Sequence, residues 1–340
     1  MPSKVSDSQF IEAWRQVGGE GRAVAEMLGM TIRGVYNRRN LVERATGINL
    51  PSAGIGNGMN RGDAGQAPND YLQKVTLDGI IGTVIVSSDH HYWPGQGPSL
   101  AHRALVEVTK ELKPKVSILN GDVFDGARLS RFPRNGWEYQ PKVRDELEEA
   151  KERVGEIRHA YRGAQTLRTI GNHCIRFDRY LATNASELEQ VAGARLADHL
   201  NAWKECVSVF INGNTMVKHR YHGGIHAGYN NTLKAGTNIV TGHTHHLEVK
   251  PWADYRGRRY GVQTGAIADV DGPQFGYTEN NPTPWCSGFA VLTFDKGGRL
   301  LMPELAEVID GAAYFRGQVV VSDRRHSRDV QDRRQKARAA

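Results

Sequence analysis

The chain has few cysteines and no long apolar run, and both shortages restrict what kind of protein it is. Only three of its 340 residues are cysteines, Cys174, Cys206 and Cys286. This odd, scattered set favours a reducing compartment over a disulfide framework. No stretch reaches the roughly 20 apolar residues that span a bilayer, and the first residues, MPSKVSDSQF, lack the pattern of a signal peptide. The sequence therefore predicts a cytoplasmic protein that has no membrane partner.

Acidic residues are fewer than basic ones. The formal net charge is +7, which favours polyanionic partners such as nucleic acid. Part of the excess belongs to residues 322–340, where seven Lys or Arg accompany three Asp. We interpret this segment as a basic C-terminal tail, so the rest of the chain is only mildly basic.

Residues 1–47 predict a helix-turn-helix-like helical domain. Phe10 and Trp14 lie on one apolar face at helical spacing. Gly29 ends a second helix, and Thr31 is the expected N-cap of a third. The third helix carries side-chain types that reach phosphates and base edges in a major groove, namely Arg33, Asn37, Arg38 and Arg39. A small helical cap or a protein-docking module is the alternative interpretation.

Composition changes sharply after this domain. Residues 48–76 are rich in Gly, Asn and Ala, which is typical of a flexible linker. From residue 77 to residue 321, short β-prone runs alternate with helical patterns, and the longest such pattern, 143–161, predicts a crossover helix that covers a sheet. The runs are 85–86, 116–119, 167–170, 217–221 and 239–240. This order predicts a mixed α/β domain in which two sheets pack together.

Five short polar motifs follow those β-prone runs. They are Asp89-His90-His91, Gly121-Asp122, Gly171-Asn172-His173, His222-Gly223 and Gly242-His243-Thr244-His245. Nearly all their side chains can bind a metal or move a proton. Hydrolysis of a phosphate ester needs an activated water, stabilised phosphoryl oxygens and a proton for the leaving oxygen, and two metal ions about 3.5–4 Å apart meet the first two needs. The motifs therefore predict a dinuclear metal site.

The order and spacing of the motifs resemble those of the calcineurin-like metallophosphoesterase superfamily, over roughly residues 80–295. The resemblance implies an αββα two-sheet sandwich, here preceded by a small all-α three-helix unit. It also implies a first metal site formed by Asp89, His91 and His245, a bridging Asp122, and a second metal site completed by Asn172, His222 and His243. His173 would be the catalytic residue that protonates the leaving oxygen. Oxygen and nitrogen ligands favour two divalent ions of manganese, iron, nickel or zinc.

Some of these assignments depend on finer choices. We prefer His222 to His219 and His226 because it directly precedes glycine after a β-prone run. Asp125 is expected to orient a neighbouring group, and Arg176 to meet a substrate phosphate. Cys174 follows His173 where the family usually has Asp or Glu, so the sequence predicts either a weaker His173 or a substitute carboxylate from Asp125 or Asp178.

The favoured function is a metal-dependent phosphodiesterase or nuclease acting on nucleic acid. One alternative is a phosphatase or phosphodiesterase for small nucleotides or phosphoproteins, with the helical domain as a docking module. Another is a DNA-binding regulator whose metal domain is vestigial. The combination of domains is also typical of compact phage or prophage enzymes. The sequence leaves the oligomeric state undetermined.

Overall fold

A computed structural model describes residues 5–48, 50, 74–133, 135–279 and 281–323. Most of the predicted linker, residues 49 and 51–73, and most of the predicted tail, residues 324–340, lie outside the described residues. The chain divides into two compact units, residues 1–67 and 68–340. Among the described residues, no helix is both long enough and apolar enough to cross a bilayer.

The first unit contains three helices where three were predicted. They are α1 (Asp7–Gln16), α2 (Gly21–Leu28) and α3 (Ile32–Thr46). Gly29 ends α2 at φ 61°, and the Thr31 side chain accepts a hydrogen bond from the Gly34 amide at the start of α3. Phe10 and Trp14 are buried in the core of this unit. The local signals of the sequence are therefore sufficient to set these helix ends.

The second unit contains fourteen described strands, numbered in chain order. They are β1 (Lys74–Leu77), β2 (Gly82–Ser87), β3 (Val116–Asn120), β4 (Gln165–Thr169), β5 (Lys204–Cys206), β6 (Ser208–Ile211), β7 (Thr215–Val217), β8 (Asn238–Thr241), β9 (Leu247–Asp254), β10 (Gly257–Thr264), β11 (Gly288–Phe294), β12 (Glu304–Ile309), β13 (Ala312–Phe315) and β14 (Gln318–Ser322). One sheet has six strands in the order β1-β6-β7-β8-β10-β9. The other has eight strands in the order β14-β13-β12-β11-β2-β3-β4-β5.

Helices pack on the outer faces of the two sheets. The helices of this unit are α4 (Leu100–Leu112), α5 (Val143–Ala160), α6 (Ile175–Asn184), α7 (Leu196–His199) and α8 (Ala227–Ala235). Val84 and Val86 of β2 face the core between the sheets, whereas Ile85 faces the core under α4 and α5. A strand buried on both faces in this way belongs to the centre of a layered fold. The helix α8 contacts β8, β9 and β10 of the other sheet, so the predicted αββα sandwich is confirmed.

Two predicted boundaries differ from the structure. The predicted linker runs to residue 76, but Lys74–Leu77 form β1, because they pair in parallel with Ser208–Ile211 of β6. The β-prone run 217–221 is a strand only up to its first residue, Val217, where β7 ends. The second difference changes which histidine lies at the end of that strand.

Candidate metal centre

Four of the five polar motifs follow directly at the carboxyl ends of strands, whereas His222-Gly223 lies further along the loop after β7. The strands β2, β3 and β4 are parallel neighbours in the eight-stranded sheet, and β7 and β8 are parallel neighbours in the six-stranded sheet. Parallel neighbours present their carboxyl ends at the same sheet edge, where sites in α/β folds form. The loops after these strands carry the candidate ligands Asp89, His91, Asp122, Asn172, His219, His243 and His245.

A first group of possible ligands consists of Asp89, His91 and His245. One ligand atom from each lies within 4.8 Å of the others, and all three residues are buried. Asp89 Oδ1 is 3.2 Å from His245 Nε2 and 3.9 Å from His91 Nε2. The structure thus brings together the three residues that the sequence placed at the first metal.

A second group consists of Asp122, His219 and His243. Asp122 Oδ2 is 2.9 Å from His219 Nε2, and Asn172 Oδ1 is 3.2 Å from the same nitrogen. His219 Nε2 is also 4.0 Å from Asp89 Oδ1 of the first group. The two groups are therefore adjacent, and Asn172 lies against the second one.

The preference for His222 over His219 is not supported by this geometry. Because β7 ends at Val217, His219 is the histidine at the strand end, and it is 1% exposed. His222 lies three residues further along an exposed loop, where its ring contacts Tyr221 and its amide donates to Asn231 Oδ1. The sequence erred because it extended the strand by four residues.

Metal binding fits the hydrogen bonds of these histidines. A metal-bound histidine usually donates its other ring N–H to a carboxylate or carbonyl. His91 Nδ1 is 2.7 Å from Asp125 Oδ1, and His219 Nδ1 is 2.7 Å from the Asn120 carbonyl oxygen. Among the described residues, the buried atoms Asp89 Oδ1 and His91 Nε2 have no hydrogen-bond partner. Unsatisfied buried polar atoms are costly, and a divalent cation would satisfy both.

Several candidate ligands have a strained backbone. Asp89, His91, Asp122, His243 and His245 all have positive φ, between 39° and 71°. A non-glycine residue in this region costs on the order of 1–3 kcal/mol, and such strain is concentrated at functional sites. No sequence pattern indicated this strain.

Buried charges set the protonation of the cluster in the absence of metal. Burial alone would lower the pKa of His91, but its interactions with Asp125, Asp89 and Asp122 together outweigh burial and raise the pKa to about 10. Burial is similarly outweighed at His219, where the charge of Asp122 raises the pKa to about 8. Burial would raise the pKa of Asp122, but the charges of His219 and His173 hold it well below its usual range. Protons thus occupy the positions that cations would take, and metal binding must release them.

Asp125 connects the cluster to the predicted catalytic residue. Its Oδ1 is 2.7 Å from His91 Nδ1 and 2.9 Å from His173 Nδ1. The Arg176 guanidinium lies on the other side of the imidazole, with Nη2 3.3 Å from His173 Nε2, and Nη1 donates to the Asp125 carbonyl oxygen at 3.0 Å. The structure therefore places Asp125 where an orienting carboxylate was expected, and it brings Arg176 beside His173.

Cys174 does not face the cluster with its thiol. The Cys174 side chain is buried in the apolar core together with Phe124 and Phe177, and burial raises the pKa of its thiol. Its backbone amide, like that of His173, points at Asp122 Oδ1, at 3.4 Å and 2.8 Å respectively. The substitute carboxylate for His173 is Asp125, since Asp178 instead accepts a hydrogen bond from the Leu196 amide.

Aromatic rings that the sequence did not single out pack against the candidate ligands. The Phe275 ring centroid is 5.2 Å from those of both His91 and His245, and the Trp285 centroid is 4.6 Å from that of His245. These ring contacts restrict the movement of the two imidazoles. Their position in the loop after β10 gave no periodic signal that could have identified them.

The four predicted DNA contacts of the first unit are in different situations. Arg33 and Asn37 are exposed on α3. Arg38 instead donates to Asp7 Oδ1 at 2.6 Å and to the Val5 carbonyl oxygen at 2.8 Å. Arg39 pairs with Glu43 at 3.1 Å, and its guanidinium lies 5.2 Å from the Trp14 ring centroid. Two of the four side chains are thus engaged in contacts between α3 and α1.

Comparison with known proteins identifies two phage relatives. No protein-family model matches the chain. The chain is similar to the Gene 54 protein of Mycobacterium phage L5, at 27% identity over 236 residues, which covers 64% of this chain and 91% of the relative. The Gene 54 protein of Mycobacterium phage D29 is 26% identical over 237 residues, with coverages of 64% and 91%.

Solved structures give weaker similarities. Vacuolar Protein Sorting 29 from Cryptosporidium parvum matches at 12% identity and a TM-score of 0.36, covering 72% of this chain and 100% of that one. A protein serine/threonine phosphatase from Saccharomyces cerevisiae matches at 10% identity and a TM-score of 0.33, covering 71% of this chain and 85% of that one. At TM-scores this low the similarity is distant, and the fold and the site are defined by the geometry of the chain itself.

Proposed function

We propose that this protein is a metal-dependent phosphodiesterase or nuclease that acts on nucleic acid. The observation that carries the proposal is the pair of adjacent ligand groups, each of which supplies one carboxylate and two imidazoles. Two divalent ions of manganese, iron, nickel or zinc would fit these oxygen and nitrogen ligands. When bound, such ions activate water and stabilise charge on the phosphoryl oxygens.

The first ion would be held by Asp89, His91 and His245, and the second by Asn172, His219 and His243. We assign Asp122 as the carboxylate shared by both ions. One of its oxygens accepts from the His173 amide at 2.8 Å, while the other faces His219. This arrangement fixes the carboxylate from both sides, as a shared ligand requires.

His173 is the proton donor in this proposal. Its Nδ1–H donates to Asp125, which fixes the ring and leaves Nε2 beside Arg176 at the wall of an open cavity. The Arg176 guanidinium, which only donates hydrogen bonds, would turn from Nε2 to a phosphoryl oxygen of the substrate, and a proton on the freed Nε2 would pass to the leaving oxygen. Asp125 thereby does for His173 what a carboxylate at position 174 was expected to do, which argues against a vestigial metal domain.

Nucleic acid is the proposed substrate because the chain is basic and α3 exposes Arg33 and Asn37. The alternative is a phosphatase or phosphodiesterase for small nucleotides or phosphoproteins, with the first unit as a docking module. One observation favours that alternative, since Ile32 and Leu41 of α3 are 45% and 58% exposed. The similarity to two mycobacteriophage proteins supports a phage or prophage origin.

The metal assignment is tested with a matched pair of histidine variants. Purified protein is loaded with Mn²⁺, and bound metal and hydrolysis of bis(p-nitrophenyl) phosphate are measured. We expect His219→Ala and Asp122→Asn to lose metal and to lose activity on the order of 100-fold or more, as removal of central catalytic groups does. His222→Ala should keep both. Equal losses in His219→Ala and His222→Ala would contradict the assignment.

The substrate is tested by a screen of the same protein with single- and double-stranded DNA and RNA, nucleotides and phosphopeptides. We expect Asp122-dependent cleavage of nucleic acid, and weaker binding to DNA when Arg33 and Asn37 are both replaced by alanine. Intact DNA and RNA beside hydrolysed nucleotides or phosphopeptides would establish the alternative function.

A further inference from the structure

A cavity with aromatic walls opens beside the predicted proton donor. It has a volume of about 460 Å³, and its floor includes Asp125, Asn172, His173 and Arg176. One wall comes from the segment after β3, residues 127–133 and 135–140, and the other from residues 273–277 after β10. Cavities that bind a single small-molecule ligand have volumes in this range. The cavity therefore lies on the side of the site where the leaving group of a phosphodiester would be.

Aromatic rings cover much of the cavity wall. Trp93, Phe132, Tyr139 and Tyr277 all line it. The Trp93 ring is 6% exposed and stands edge-on to Tyr139, with centroids 6.5 Å apart, so it is fixed in place. Phe132 and Tyr139 are 64% and 66% exposed. Rings exposed to this extent around a cavity are available to cover a planar ligand.

The positive charge of the described cavity lining lies beside His173. Arg176 is the one Lys or Arg among its described lining residues, and it lies beside His173 at the floor. Glu138 on the wall accepts hydrogen bonds from the Asn135 amide and side chain. Among the lining residues that the structure describes, one cation beside His173 and several aromatic rings match a phosphate followed by a base.

We propose that this cavity binds the nucleoside of the leaving group by stacking its base on Tyr139 and Tyr277, with the buried Trp93 supporting Tyr139. The proposal rests on the proposed phosphodiesterase function, and it adds that the substrate must carry a base on the leaving side. Stacking on aromatic rings tolerates every base, because each has a π-face. The cavity thus selects nucleotide esters over other phosphodiesters without selecting a sequence.

The test compares two dinucleotides that differ only at the leaving nucleoside, which carries either adenine or an abasic tetrahydrofuran. We expect the wild type to cleave the adenine substrate with kcat/KM higher by roughly 10- to 100-fold, the range of base–aromatic stacking. The ratio of kcat/KM for the adenine substrate to kcat/KM for the abasic substrate should fall to near one in a Tyr139→Ala/Tyr277→Ala variant. Tyr255→Ala, which changes a fully exposed tyrosine in the β9–β10 turn, is the matched control and should keep the wild-type ratio.

A binding measurement gives a second readout that does not need metal. The fluorescence of 2-aminopurine riboside monophosphate should be quenched on stacking by the wild type and by Tyr255→Ala, but not by the double variant. Equal cleavage of the two dinucleotides, with Asp122-dependent hydrolysis of bis(p-nitrophenyl) phosphate intact, would overturn this inference alone. Absence of hydrolysis of every phosphodiester would overturn the proposed function instead.

Discussion

Replacement of Gly171 by alanine should disable the metal centre through a single added methyl group. A Cβ at position 171 would lie 2.0 Å from Asp122 Oδ1 and 2.4 Å from the Asp122 backbone nitrogen. Ordinary contacts of a Cβ begin at 3.4 Å. The glycine does not have a positive φ, so alanine is permitted by the backbone, and the three atoms nearest to the added methyl group all belong to Asp122.

The size of the effect follows from the distance that Asp122 must move. Restoring an ordinary contact requires a shift of more than 1 Å, which breaks the 2.8 Å hydrogen bond between Asp122 Oδ1 and the His173 amide. Metal–ligand distances tolerate about 0.2 Å, and a misplacement of about 1 Å at a catalytic site costs on the order of 100-fold in rate. Overpacking should also lower the free energy of unfolding by roughly 1–3 kcal/mol.

The assay compares Gly171→Ala with Gly223→Ala, which adds the same methyl group to the fourth motif. Nothing lies within 4 Å of a Cβ at Gly223, so this control should keep its metal and its rate. Bound Mn²⁺, hydrolysis of bis(p-nitrophenyl) phosphate and the melting temperature are measured for both. Full metal occupancy and activity in a folded Gly171→Ala protein would refute the reasoning.

Two further predictions concern buried groups near the site. Burial, reinforced by the Asp125 charge, raises the pKa of Glu146 from 4.5 to about 8. As pH rises, the unfolded chain therefore loses this proton before the folded chain does, and the free energy of unfolding falls between about pH 4.5 and 8. In urea unfolding, the free energy of unfolding of Glu146→Gln should therefore equal that of the wild type at pH 4.5 and exceed it by up to a few kcal/mol at pH 8. A difference between the two proteins that stays constant from pH 4.5 to 8 would contradict this prediction. Burial raises the pKa of the thiols of Cys174 and Cys206, whereas Cys286 is exposed. In the folded chain, only the thiol of Cys286 should therefore react rapidly with a disulfide reagent. Cys174→Ala should keep its activity and lose roughly 1 kcal/mol of stability, whereas loss of activity in a folded variant would indicate a chemical role for the thiol.

Much of the fold was predictable because its local signals are strong. Gly29 and Thr31 mark helix ends by backbone preference and capping, and they do so in the structure. The alternation of β-prone runs with helices predicted the two-sheet sandwich, since buried parallel strands need covering helices. The sequence did not predict a strand whose formation depends on pairing. Lys74–Leu77 were expected to belong to the linker, but they form β1 because they pair with β6.

The choice between His219 and His222 shows why the site was less predictable than the fold. Both are histidines near the end of a β-prone run, and only the end of β7 at Val217 distinguishes them. The end of β7 is set by its pairing with two other strands. A turn separates β7 from β6, whereas β8 is distant in sequence. A local pattern contains no information about where such a pairing stops.

The sequence by itself determined the kinds of side chain at this site and the strand ends from which most of them come. It did so because ligand chemistry and β-propensity are properties of single residues and short runs. Only the tertiary structure decided that Asp125 serves both His91 and His173, that Cys174 is buried in the core, and that aromatic rings from three loops line a cavity beside His173. These contacts join residues far apart along the chain, and their distances exist only after the sheets and loops have packed.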